Sequence, residues 1–261
     1  MARRRGLEDV LHHFISEDEQ REAREQARGT PSGRSEAGPA AGPARWVLAA
    51  SPRRPLSCSL ALDLAAALSR DPAPGGSETL ILAPFPAGIG ARRSTRWVTL
   101  PAGGGAALRE ALEAAPEDAS TLALVSPEQL GSVLGGLDGS RISGVLLLVD
   151  AAAWGLTRAL GWLRGCSEAL AGVRIGAVVV GADDRELATD LYDKLASAAR
   201  RQLGLRLESF GEIERDAASF RSLLLGVSVL DLDSAAASSR SLESLCRRLA
   251  APPGGAAEDP A

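Results

Sequence analysis

Lysine is nearly missing from this chain. Lys194 is the only one, and the other 28 of its 29 basic residues are arginine. Histidine is confined to the adjacent pair His12 and His13, so a Ser-His-Asp or Cys-His centre would have to borrow its base from the first turns of the sequence. Cys58, Cys166 and Cys246 lie far apart, with no CxxC spacing and no histidine beside them, which argues against a zinc site. Three such cysteines suit a reducing compartment in which each is a small buried apolar group. Aromatic residues make up 3% of the chain, so its core must be built from Leu, Val and Ala. No apolar run approaches the ~18–20 residues a membrane span needs, and no secretory leader is evident. The expectation is a cytoplasmic protein.

What is present is a chain of 261 residues, 45% hydrophobic, with a formal net charge of −4. That is enough for one large α/β domain, and the overall charge does not favour nucleic acid. Residues 1–28 are highly charged and helix-prone. Residues 29–44, "GTPSGRSEAGPAAGPA", read as a flexible linker. Residues 45–250 form the globular part, and 251–261, "APPGGAAEDPA", read as a disordered tail.

Short β-type runs alternate with helical stretches across 45–250. The pattern predicts strands at 46–50, 79–83, 97–100, 121–125, 145–149 and 175–180, with a short one near 207–210. It predicts helices near 58–69, 105–114, 127–136, 155–164, 184–203, 215–225 and 238–250. The runs "TLILA", "TLALV", "GVLLLV" and "IGAVVV" are apolar throughout, the mark of strands covered on both faces. The predicted fold is therefore doubly wound α/β with a mostly parallel sheet, its ligand crevice beyond the carboxyl ends of the strands.

The stretch "RWVLAASPRRPLSCSLALDLAAALS" has the layout of a phosphate-binding strand, loop and helix. Farther on, "GADDRELATDLYDKLASAARRQLGLRLESFGEIERD" is followed by a helix, by "SVLDLDSAAA" and by a closing helix. In this segment order the chain resembles the MinD/FlhG/ParA group of P-loop ATPases, the deviant-Walker dimerising class, over roughly residues 45–250. The matching pieces are "ARRQLG" for an "RRFLG"-like helix end and "LESFGEIERD" for "LEYLGxIPxD". The resemblance implies a P-loop NTPase-like fold and, in a working member, ATP and magnesium.

The residues at the family's functional stations are different. The KGGxGKT loop corresponds to Ser51, Pro52, Arg53, Arg54, Pro55, Leu56 and Ser57. Two prolines there donate no N–H, and no glycine or lysine is present to wrap and neutralise phosphates. Ser57 matches the magnesium-binding hydroxyl alone. The second strand ends in Pro84 and Phe85 where a water-positioning aspartate is expected. The Walker B strand ends in Ser126 and Pro127, and the adenine-reading asparagine is replaced by Gly181. Asp150, one strand later, is an alternative Walker B residue. These positions serve separate parts of phosphoryl transfer, so the expectation is a pseudo-ATPase with no catalytic residues, no cofactor and no metal. The alternative is an ATPase holding its nucleotide through a non-standard loop. Arg53 and Arg54 beside a helix N-terminus leave open an anion or dinucleotide site, set against two solvated arginines.

Leu7, Val10, Leu11, Phe14 and Ile15 fall on one face of a helix, and Ser16 with Glu19 fits a capping box for a second one. That face fits docking to a protein partner, with packing on its own domain or weak membrane contact through Arg3, Arg4 and Arg5 as alternatives. The resemblance implies a binding, scaffold or regulatory component in the spatial organisation of a cell-envelope machine. Its partner would be a protein, including an active ATPase relative, in a homo- or heterodimer without nucleic acid. Trp154 and Trp162, eight apart with Leu156, Leu160 and Leu163 between or beside them, are expected to pack in the core; exposure there would mark an interface.

Overall fold

The computed structural model of the protein describes residues 44–49, 59–60, 63–64, 66–68, 79–83, 95–101, 105–116, 118–137, 141–152, 154–214, 216–225 and 227–250. The amphipathic face from Leu7 to Ile15, most of the 29–44 linker, the Ser51–Ser57 loop, Pro84, Phe85 and the 251–261 tail lie outside these residues.

Seven strands form one sheet: β1 (Arg45–Ala49), β2 (Thr79–Ala83), β3 (Thr95–Thr99), β4 (Ser120–Val125), β5 (Gly144–Asp150), β6 (Ile175–Val180) and β7 (Glu208–Ile213). Their spatial order is β3-β2-β4-β1-β5-β6-β7, and every pairing is parallel. The uniformly apolar runs are the reason. β1, β2 and β6 are buried at every position, which only a sheet covered on both faces allows. Each predicted strand is present, β7 running three residues farther than its apolar pattern suggested.

Side-chain alternation divides the core into two layers. Val47, Ala49, Ala123, Val125, Val145, Leu147, Ala177 and Val179 point to one face. There they meet α1 (Gly105–Glu113), α2 (Pro127–Leu134), α3 (Gly155–Gly165) and α4 (Arg185–Leu203) through Leu108, Val133, Leu163 and Leu195. Trp46, Leu48, Ile81, Leu122, Leu124, Leu146, Val178 and Phe210 point to the other face. They are covered by the helical residues within 59–68 and, beyond α5 (Ala217–Leu225), by α6 (Val229–Leu232) and α7 (Ala237–Ala250).

α4 shows how local sequence sets these bounds. The Asp184 carboxylate accepts from the Leu187 N–H at 2.7 Å, and Gly204 closes the helix at φ 69°. Burial at Ala188, Leu195 and Ala199 gives it one apolar stripe. The four-residue α6 was not anticipated. Its first N–H donates to Asp63, 166 residues earlier, so a contact distant in sequence holds it.

At the amino end of the sheet Arg45 is 8% exposed and donates to the carbonyls of Ala115 and Pro116. Arg174 lies over both Trp46 and Phe210, 5.3 Å from each ring centre, while pairing with Glu208 at 2.9 Å. Both arginines hold strand ends to their surroundings.

Candidate functional site

The connections out of the strands define the crevice. β1 leads to the helical residues within 59–68 on one face, whereas its neighbours β4 and β5 lead to α2 and α3 on the other. A doubly wound sheet opens at such a reversal, beyond the carboxyl end of β1. Ser51 to Ser57 fall between Ala49 and Ser59, which flank this opening.

Both strands beside β1 end at the crevice with chemistry that can be inspected. β4 is followed by Ser126, whose hydroxyl donates to Gln129 Oε1 at 3.1 Å and whose carbonyl accepts from the Gln129 N–H. Its side chain is thus engaged in starting α2. β5 ends at Asp150, whose carboxylate accepts from the Ala152 N–H at 3.0 Å and shapes the turn into α3. That turn needs Gly155, because a β-carbon there would collide with the Asp150 carbonyl. β6 is followed by Gly181, at φ 78°, with its N–H donating to the Ile213 carbonyl. A left-handed backbone explains glycine at that position.

The rim around these strand ends is rich in carboxylates: Asp150, Asp183, Asp184, Glu212, Glu214 and Asp216. Arg185, at the start of α4, reaches Glu212 at 3.7 Å. Burial works against ionisation of Asp216, but donation from the Ser219 and Ser238 N–H groups, at 2.7 and 2.9 Å, outweighs it. Its pKa therefore lies below the usual aspartate value. Of these carboxylates, Asp150 stands on the strand beside β1, whereas Glu212, Glu214 and Asp216 belong to the edge strand β7 and the turn that follows it. Among the described residues, no group of three or more His, Cys, Asp or Glu is placed to hold a metal.

Trp154 corrects the sequence expectation of core packing. It is 73% exposed, at the N-cap of α3 with φ −105° and ψ 2°, outside the helical backbone whose periodicity had placed it inside. Trp162 is half-buried against the core, with Leu163 fully enclosed. Leu187 and Phe220, in the first turns of α4 and α5, are also exposed. The helices after β5, β6 and β7 therefore each present a large apolar side chain near this end.

Asp63 is the residue that sequence reasoning passed over. It is 6% exposed among the helical residues within 59–68, accepts from the Val229 N–H at 2.8 Å and lies 3.5 Å from the Ser59 hydroxyl. Burial pushes its pKa up to about 6 despite those donors. The available signal was a lone carboxylate inside "LALDLAAAL". Asp63 connects the helix that follows the crevice loop to α6.

No protein-family model matches the chain, and no curated protein matches it in sequence. Solved structures do share its fold. The apo McdA structure from Cyanthece has a TM-score of 0.55 at 13% identity, covering 79% of this chain and 99% of that one. A plasmid partition protein of Borrelia burgdorferi B31 bound to AMPPNP gives 0.52 at 11% identity, over 78% and 97%. The MinC:MinD cell division protein complex of Aquifex aeolicus gives 0.50 at 13% identity, over 79% and 95%. At these identities the likeness establishes the fold: a P-loop NTPase-like α/β architecture of the MinD/ParA kind. Among the described residues, no helix is long and apolar enough to cross a membrane.

Proposed function

We propose that this chain is a catalytically silent protein on a MinD/ParA-type fold, acting by contact as a binding, scaffold or regulatory component in organising a cell-envelope machine. The observation that carries this reading is the character of the rim around the crevice. Phosphoryl transfer on this fold needs cations and backbone donors directed at phosphate. Among the described residues the rim offers carboxylates with Arg185 set against Glu212, a Ser126 engaged with Gln129 and a Gly181 without a side chain. The loop sequence from Ser51 to Ser57 supports the same reading, with two prolines and neither glycine nor lysine. Exposed Trp154 supports recognition by contact, since a large aromatic at the surface is the usual anchor of a protein interface. The amphipathic face Leu7, Val10, Leu11, Phe14 and Ile15 offers a second docking element. A structural neighbour, the MinC:MinD complex, pairs this fold with a protein partner, and a partner protein is proposed here too.

One observation favours the other reading, a nucleotide-binding ATPase with a non-standard loop. β5 lies directly beside β1, so Asp150 stands at the crevice mouth where a magnesium carboxylate is useful. Calorimetric titration with Mg-ATP, GTP and cyclic dinucleotides separates the two. No binding and no hydrolysis above background are expected. Binding tighter than about 100 µM, or turnover abolished by Ser57→Ala, overturns the silent reading.

A further inference from the structure

The strand direction sorts charge. α4 runs from the carboxyl end of the sheet back to the amino end, so its last turn and the segment entering β7 lie opposite the acidic rim. There Ser197, Arg200, Arg201, Leu205, Arg206 and Leu207 line an open groove of about 790 Å³ with a single carboxylate, Asp193. Arg201 donates to the Ser197 carbonyl at 3.3 Å, whereas neither Arg200 nor Arg206 has a partner among the described residues. Arginines in a last helical turn favour the helix dipole. That accounts for Arg200 and Arg201 but not for Arg206, which follows the helix, nor for an apolar wall made by Leu205 and half-buried Leu207.

The opposite end carries the complement. Trp154 projects after β5 with Arg158 one turn along α3, and Asp183, Asp184 and Glu186 stand at the start of α4 after the adjacent β6, where Arg185 reaches Glu212. An exposed indole at the sheet end where, among the described residues, carboxylates outnumber arginines suits an apolar groove bordered by guanidinium groups, through burial, stacking and ion pairs together. The two surfaces cannot meet within one molecule, since a strand of seven residues holds them roughly 20 Å apart. The geometry points to a second copy of this chain as the occupant: the Trp154 rim of one copy seats in the Arg200–Arg206 groove of the next. Because the surfaces differ, the contact is head-to-tail and leaves a free rim and a free groove at its ends. It propagates as an open chain rather than closing as a two-fold dimer. This rests on the reading that the rim works by contact and names its partner.

Sedimentation velocity of the full chain tests it, from about 1 to about 100 µM at low and high salt. The native protein is expected to pass through dimers into larger species, with association weakened at least tenfold at high salt. Trp154→Ala and the double variant Arg200→Glu/Arg206→Glu change exposed positions, and each alone should stay monomeric with an unaltered melting temperature. Mixed together, they should form a 1:1 heterodimer and stop, because each keeps the face the other has lost. A native protein that remains monomeric overturns the proposal. So does a closed dimer untouched by either variant, or a mixture without heterodimer. Assembly that appears only after removal of 251–261 also overturns it, assigning the groove to the acidic Glu258–Asp259 segment. Nucleotide titration bears only on the silent-ATPase reading, so a chain that ignores both ATP and its own copies sinks this inference and leaves that reading standing.

Discussion

Trp46→Ala should lower stability by about 3–5 kcal/mol, the range for deleting a fully buried large aromatic, and the melting temperature by roughly 10 °C. Trp46 is 0% exposed in the central strand, and its loss opens a cavity between β1 and α7. Its ring meets Phe210 edge-to-face at 5.3 Å and 71°, and Arg174 covers both. The indole N–H donates to the Leu249 carbonyl at 3.1 Å, so the same side chain pins the last turn of α7 to the sheet. Two glycines make room for the stack. A β-carbon at Gly144 would come within 2.7 Å of the indole, and one at Gly176 within 2.6 Å of Phe210. Trp46→Phe keeps much of the ring contact and loses the N–H, so it should cost about 1–2 kcal/mol. Urea titration of the three proteins measures this order. An alanine variant within about 1 kcal/mol of native would mean that the Trp46–Phe210–Arg174 stack does not hold this face together.

The elements were legible because their signals are local. "TLILA" and "IGAVVV" announce strands buried on both faces, and the α4 stripe with Asp184 before it and Gly204 after it sets a helix. The parallel arrangement followed from the same runs. What escaped the sequence is created by adjacency in space. α6 owes its first hydrogen bond to Asp63, and no window of sequence contains both. Trp154 was assigned to the core by projecting the α3 period one residue past its start, where the backbone is no longer helical. The acidic rim and the arginine groove emerge only once all strands run the same way, which gathers every β-to-α turn at one end. At the candidate site, Ser126 and Gly181 stand at strand ends as the segment order implied. Gly181 also has a backbone reason for its identity that composition cannot reveal.

The second large effect is a dependence of stability on pH that originates at Asp63. Its carboxyl titrates near pH 6 in the folded chain, against 3.8 for an ordinary aspartate, because burial opposes the charge. A raised folded-state pKa means that the native state binds the proton more tightly than the unfolded chain does. The stabilisation from that proton is fully present below pH 3.8 and is lost as pH rises through about 6. At 1.36 kcal/mol per pH unit the loss is about 3 kcal/mol by neutral pH. Asp216 has the opposite sign: its lowered pKa gives stability above the ordinary aspartate range that disappears on acidification. A raw profile mixes the two, so the informative quantity is the difference between native and Asp63→Asn proteins, in which Asp216 cancels. The groups facing Asp63 are the Val229 N–H, the Ser59 and Ser228 hydroxyls and the Cys246 thiol on α7. Burial, Glu243 and Asp63 hold that thiol up to about 12, so it stays neutral throughout the window. Asparagine can still accept from Val229 and carries no charge to desolvate. Its variant should therefore gain about 3 kcal/mol on the native protein between about pH 4 and pH 7, measured by urea unfolding across that range. A difference that stays flat with pH would mean that Asp63 binds its proton no more tightly in the fold than in the unfolded chain, its charge being fully offset by the Val229, Ser228 and Ser59 donors.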